Sequence, residues 1–172
     1  GCIVVDRQYT DPFEAVDQGE FNDGSFSEGS DLQISNGWVR GDIGPVRDFD
    51  AAANDSYGYS DGSYSSVTVT AYDAQDRMGM LIVDLNGGDI RTARAGTYRF
   101  GALSTDTVDG ATPNITGCSE GSDSFYDAPA TDGTIVISDV PEGRQVDVEA
   151  TLPTESGMGE TQATGSFVIA RE

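Results

Sequence analysis

Tyr57, Tyr59 and Tyr64 share the short stretch Tyr57-Gly58-Tyr59-Ser60-Asp61-Gly62-Ser63-Tyr64. Exposed phenol rings beside carboxylates suit sugar recognition: flat rings stack on the sugar face and acidic oxygens accept from its hydroxyls. The same mixture of Tyr, Ser and Gly suits an adaptable protein-binding loop. Alternatively, the tyrosines simply cover a sheet edge. Trp38, set between glycine-containing turns, is a candidate to join them and equally a candidate core anchor.

A second oxygen-rich stretch is Asp84-Leu85-Asn86-Gly87-Gly88-Asp89. Asp84, Asn86 and Asp89 are candidate calcium ligands, since calcium takes about six to eight hard oxygens, often from loops. The spacing lacks the glycine and distal glutamate of an EF-hand, and Asn-Gly-Gly-Asp equally serves as a metal-free turn. Calcium is the one cofactor the sequence suggests. Paired carboxylates could also serve a glycosidase, but thirty acidic residues among 172 make such pairs unavoidable by chance. Nothing singles one pair out, and the expectation is a protein that is not an enzyme.

Composition narrows the chemistry further. The chain has no histidine, and its nine basic residues are all arginine. Histidine-based triads, imidazole metal sites, Schiff bases and P-loop lysines are therefore excluded. A net charge of −21 leaves no basic stripe to displace phosphate counterions, so nucleic acid is not an expected partner. Self-repulsion of this size is best tolerated in high salt or with divalent cations. A halophilic source and an arginine-favouring GC-rich genome both account for the missing lysine. No apolar run is long enough to span a bilayer.

Cys2 and Cys118 are the only cysteines. Gly1-Cys2 resembles the end of a lipobox, which would make Cys2 a lipid anchor, although strict processing would remove Gly1. A Cys2–Cys118 disulfide would instead close a long loop and, in the chain-entropy model, stabilise by roughly 3–5 kcal/mol. Both readings place the protein outside the cytoplasm, extracellular or on a cell surface. Two free thiols are the third alternative. Asn54 and Asn114 begin glycosylation sequons in expected loops.

The elements that must position these residues are strands. Val67, Val69 and Ala71 alternate with Thr68, Thr70 and Tyr72, and a polar turn at 73–76 leads into Arg77–Leu85, a hairpin pattern. Gly96–Gly101, Thr134–Val140, Val146–Leu152 and Thr164–Ala170 read as further strands. Cys2–Tyr9, Glu20–Ser27 and Leu32–Val39 are weaker candidates. Pro45, Val46, Phe49 and Ala53 fit one short helix over 45–53. The expectation is one all-β domain over 1–172, less regular over 1–60 and clearly stranded over 63–170. Eight to ten antiparallel strands would form a β-sandwich. Ile3, Val4 and Val5 form either its first strand or an assembly strand that adds to a neighbouring subunit's sheet edge.

The Gly96-Thr97-Tyr98-Arg99-Phe100 strand, the Asp132–Ile137 strand and the closing Thr164-Gly165-Ser166-Phe167 resemble small β-sandwich lipoproteins of bacterial cell envelopes, many without an assigned activity. That resemblance implies a fold and a location, and no functional residue. The functional expectation is therefore structural: a self-assembling filament or surface-layer subunit, its partners being copies of itself or other cell-surface components. The alternative is a glycan- or protein-binding surface module built on the Tyr57–Tyr64 loop.

Overall fold

The computed structural model describes residues 30–101 and 105–171. They form eleven strands: β1 (Ser30–Leu32), β2 (Ile34–Ile43), β3 (Val46–Ser60), β4 (Tyr64–Tyr72), β5 (Met78–Asn86), β6 (Gly96–Gly101), β7 (Thr112–Glu120), β8 (Phe125–Pro129), β9 (Asp132–Val140), β10 (Gly143–Pro153) and β11 (Glu160–Ala170). Every pairing is antiparallel, and the strands run in the order β6-β9-β10-β11-β2-β3-β4-β5-β7-β8, with β1 added beside β3. The all-β antiparallel expectation holds. In place of a sandwich of two separate sheets there is one continuous, strongly curled sheet, a half-barrel that folds its apolar face inward.

Alternation explains which face that is. In β10, Val146, Val148, Ala150 and Leu152 are all buried, while Asp147, Glu149 and Thr151 point the other way. Val67, Val69 and Ala71 of β4 and Leu81, Val83 and Leu85 of β5 do the same. With Val39, Phe49, Ile115 and Phe167 they form one core cluster that draws on both halves of the curl. Each such side chain contributes about 1.5–3 kcal/mol by leaving water. The halves approach closely at Gly117 of β7, where an added Cβ would lie 2.5 Å from the Leu152 side chain of β10. Polar ties cross the same gap. Ser119 Oγ donates to the Ile43 carbonyl at 2.6 Å, and the Tyr126 hydroxyl donates to the Pro153 carbonyl.

The helix expected over 45–53 is not formed; those residues begin β3. Two irregularities account for the misleading spacing. Gly41 pairs with Phe49 but Ile43 pairs with Val46, so β3 carries one extra residue where Asp48 adopts a φ of 52°. This bulge lets Val46 and Phe49, three apart, both face the core, an interval that looks helical. A second extra residue falls at Asn54, between the pairs Ala53–Ala71 and Asp55–Thr70. There β3 leaves β2 behind and takes β1 as its neighbour.

The β4–β5 hairpin forms with Tyr64 opposite Asn86 and Tyr72 opposite Met78. Its turn is held by Asp73, whose carboxylate accepts from the Gln75 and Arg77 amides and from Arg77 Nε. Burial pushes the Asp73 carboxyl up, but these hydrogen bonds and the Arg77 charge outweigh it and hold its pKa below the ordinary value. Behind the next loop, Arg144 of β10 donates to the carbonyls of Ile90, Arg91 and Ala93 and pairs with Asp139 at 3.1 Å.

The tight turn between β2 and β3 gives a direct test of the packing. Gly44 has a φ of 60°, and a Cβ there would sit 2.3 Å from the Tyr126 ring. Gly62, at φ 88°, has nothing within 4 Å. In urea unfolding, Gly44→Ala should cost about 2–4 kcal/mol, combining left-handed strain with overpacking, and Gly62→Ala about 1 kcal/mol from strain alone. Equal losses would mean that Tyr126 does not pack on this turn.

Candidate binding groove

The tyrosines expected in a loop sit on strands. Tyr57 and Tyr59 belong to β3 and Tyr64 opens β4, leaving only Asp61, Gly62 and Ser63 as the turn. Odd positions in the second half of β3, after the Asn54 bulge, and even positions of β4 and β5 therefore share the face opposite the core. Register then builds cross-strand rows on that face. Tyr57 is opposite Thr68, Thr68 opposite Ile82, and Ile82 opposite Thr116. The next row runs from Tyr59 through Ser66 and Asp84 to Asn114.

Between these rows lies a groove of about 290 Å³ lined by Tyr57, Tyr64, Ser66, Thr68, Met80, Ile82, Asp84 and Thr116. Tyr57 stands at its rim, 58% exposed. Ser66, Thr68 and Thr116 supply hydroxyls, and Met80 and Ile82 an apolar patch. At one end the Tyr64 hydroxyl donates to Asp84 Oδ1 at 2.8 Å, which fixes both side chains. Partial burial, and then the bond to Asp84, raise the Tyr64 phenol above its ordinary pKa of 10.0. Rings, hydroxyls and a single carboxylate form a surface that can stack on and hydrogen-bond a polyhydroxylated ligand.

Asp61 does not reach this groove. Its Oδ1 accepts from Ser63 N, Ser63 Oγ and Tyr64 N, each at 2.8 Å, so it is the clasp of the β3–β4 turn. The Ser63 hydroxyl and amide are the main reason its pKa lies below the usual carboxylate value. Below that turn Ser65 Oγ lies 3.0 Å from Ser60 Oγ and 2.9 Å from the Gly88 carbonyl, and accepts from Ile90 N. Tyr64 is thus mounted on a bonded frame.

The other candidates are dispersed. Tyr59 is exposed beside the groove without lining it. Trp38 is half-buried on β2, outside the main core, with the Arg40 guanidinium 4.2 Å from its ring centroid and Arg40 paired to Asp50 at 2.9 Å. It does not join the tyrosines. Of the three calcium candidates, Asp84 serves the groove and Asn86 ends β5 exposed. Asp89 pairs with Arg91 at 2.9 Å; burial raises its pKa, but the Arg91 bonds and charge bring it below the ordinary value. Among the described residues no three His, Cys, Asp or Glu side chains gather in a way that could hold a metal ion. Both sequon asparagines lie on strands rather than in loops, exposed on β3 (Asn54) and β7 (Asn114). Cys118 is fully buried in β7, and no free cysteine occurs among the described residues. Cys2, Ile3, Val4 and Val5, and the strands expected over Cys2–Tyr9 and Glu20–Ser27, lie outside the described residues.

Because folding raises the Tyr64 pKa, its contribution to stability is complete below pH 10.0 and is lost as pH climbs through the raised folded value. Titration of phenolate absorbance, with Tyr64→Phe identifying the Tyr64 step, should show that step moving toward the ordinary value in Asp84→Asn; an unmoved step would mean the bond to Asp84 does not form. Compared with known proteins, the chain matches no protein-family model, no curated protein and no solved structure.

Proposed function

We propose that the protein is a non-catalytic extracellular or cell-surface module that binds a neutral glycan in the groove between Tyr57, Tyr64 and Asp84. The observation that carries this reading is the Tyr64–Asp84 bond at 2.8 Å beside an exposed Tyr57 ring, which pairs a stacking surface with a fixed hydroxyl acceptor. Anionic sugars are disfavoured by Asp84 and by the net charge of −21. Among the described residues Asp84 is the only carboxylate lining the groove, whereas acid–base hydrolysis of a glycoside calls for two. Tyr57 projects into solvent, so its removal perturbs the fold little, by roughly 0.5 kcal/mol or less.

A glycan array probed with the parent chain should give a signal on neutral oligosaccharides. Tyr57→Ala and Asp84→Asn should each weaken it about tenfold or more, equivalent to about 1.4 kcal/mol, with unfolding midpoints near the parent's for Tyr57→Ala. No signal from the parent on any neutral glycan would sink the reading.

Self-assembly through strand edges is the second reading, favoured by one observation. The described sheet path ends in two strands, β6 and β8, each paired on one side only. Both are short, and β8 ends in Pro129, features that blunt edge-to-edge pairing and rank this reading below the groove. Filaments in negative-stain images of unreduced native material would reverse the order. Dispersed monomers would remove the assembly reading.

A further inference from the structure

Three of the chain's nine arginines line one cavity. This cavity, of about 400 Å³, lies where the loop after β5 meets the start of β10 and the end of β11. Arg91, Arg144 and Arg171 share its wall with Asp89, Thr92 and Ile169, and none of these residues lines the tyrosine groove. Register brings two of the arginines together. Arg144 is opposite Ile169, and two residues further on the Arg171 amide donates to the Glu142 carbonyl at 3.2 Å. Alternation therefore carries Arg144 and Arg171 on the same face, one diagonal step apart. The three guanidiniums are not equally committed. Arg91 is neutralised by Asp89, which its Nε and Nη2 both reach. Arg144 Nε bonds Asp139, and its Nη1 donates to the carbonyls of Ile90, Arg91 and Ala93. Its Nη2 has no hydrogen bond among the described residues, although the side chain is only 12% exposed. Arg171 makes one long bond, from Nη2 to the Val140 carbonyl at 3.4 Å, and has no carboxylate partner among the described residues. The cavity thus presents one uncompensated positive charge and an open set of donors in a chain of net charge −21.

We propose that this cavity binds a sulfate monoester, the group a sulfated sugar carries. The site stands independently of the groove reading. Guanidinium forks match the oxygens of such an anion, and hydrogen bonds between the two are charge-assisted. Its three terminal oxygens can accept from Arg144 Nη2 and from Arg171 together, whereas the two oxygens of a carboxylate are satisfied by one fork. Charge selects in the same direction. A sulfate monoester is singly negative, matching the one uncompensated guanidinium, while a phosphate monoester carries about −1.5 to −2 at neutral pH. Volume favours an ester over a bare ion. A free tetrahedral anion fills little of about 400 Å³, a size within the range of roughly 300–1,000 Å³ typical of small-molecule sites. Distant carboxylates do not veto the anion, because their repulsion is screened beyond about 8 Å at physiological ionic strength.

Glucose 6-sulfate, glucose 6-phosphate, glucuronate, glucose and inorganic sulfate are each titrated into the full, isotopically labelled chain. Amide and arginine Nε resonances report binding at neutral pH and about 0.15 M salt. The expected result is saturable shifts at Thr92, Arg144 and Arg171 with glucose 6-sulfate, which should bind at least about threefold tighter than each of the other four. Arg171→Gln should weaken that binding about tenfold with an unfolding midpoint near the parent's, since Arg171 is exposed just beyond β11. Arg171→Lys, which keeps the charge and loses the fork, should fall between the two. Tyr57→Ala should leave glucose 6-sulfate binding unchanged, so the groove reading and this one can fail separately. Absence of shifts at these residues would overturn the proposal, as would the same shifts with uncharged glucose. Equal or tighter binding of the phosphate ester, glucuronate or inorganic sulfate would overturn it too, and so would an unaltered affinity in Arg171→Gln.

Discussion

A single strand has to serve both halves of the sheet, and the fold depends on how β3 manages it. Its fifteen residues pair first with β2 and then with β1 and β4; it carries two one-residue bulges, one within the β2 pairing at Asp48 and one at Asn54, where it changes partners. Each bulge adds twist and resets which side chains face inward. Val46 and Phe49 can thereby reach a core that Ser56, Gly58 and Ser60 also face, although no uniform alternation connects them. The bulges lie in the strand that joins the two halves of a sheet in which Leu81, Val83, Val148 and Leu152 are all buried. That sheet curls until β7 meets β10, and the odd residues of the second half of β3, Tyr57 and Tyr59, are turned outward together. Core closure and aromatic display meet in this strand.

Electrostatics is handled locally. Arg40, Arg47, Arg77, Arg91, Arg94 and Arg144 each have an aspartate partner close by in the sheet or turn: Asp50, Asp42, Asp73, Asp89, Asp109 and Asp139. The exposed pairs contribute little to stability. Arg77, Arg91 and Arg144 are more sheltered and act chiefly as hydrogen-bond staples for turns and loop carbonyls. These cations thus serve local geometry, and among the described residues lining the groove there is no cation and one carboxylate, Asp84, at the Tyr64 end.

The strands that could be read in the sequence are those whose inward positions are mostly apolar and alternate with polar ones, or that are closed by glycines as Gly96–Gly101 is: β4, β5, β6, β9, β10 and β11. The strand β3 was hidden by its bulges, whose three-residue interval between Val46 and Phe49 mimics a helical turn. The strand β7 was hidden for another reason. Its inward positions are Pro113, Ile115, Gly117 and Ser119, small or polar because Leu152 and the Ile43 carbonyl press on them. Glycine misled again around the tyrosines. Gly58 faces inward because Leu32 would lie 3.0 Å from a Cβ there, so a strand had the composition of a loop. Asp84 and Tyr64, twenty residues apart, come together only through hairpin register, which no local motif announces.

The position of β11 has a mechanical consequence. It lies in the interior of the sheet, paired along eleven residues with β10 on one side and with β2 on the other. A pull on its Ala170 end along the strand axis loads both ladders in shear, so many hydrogen bonds must yield together instead of unzipping one at a time. Resistance to such a load is set by the unfolding rate under force rather than by equilibrium stability. The antiparallel pairing of β11 with two neighbours lets tension applied at Ala170 pass through both ladders into the curled sheet.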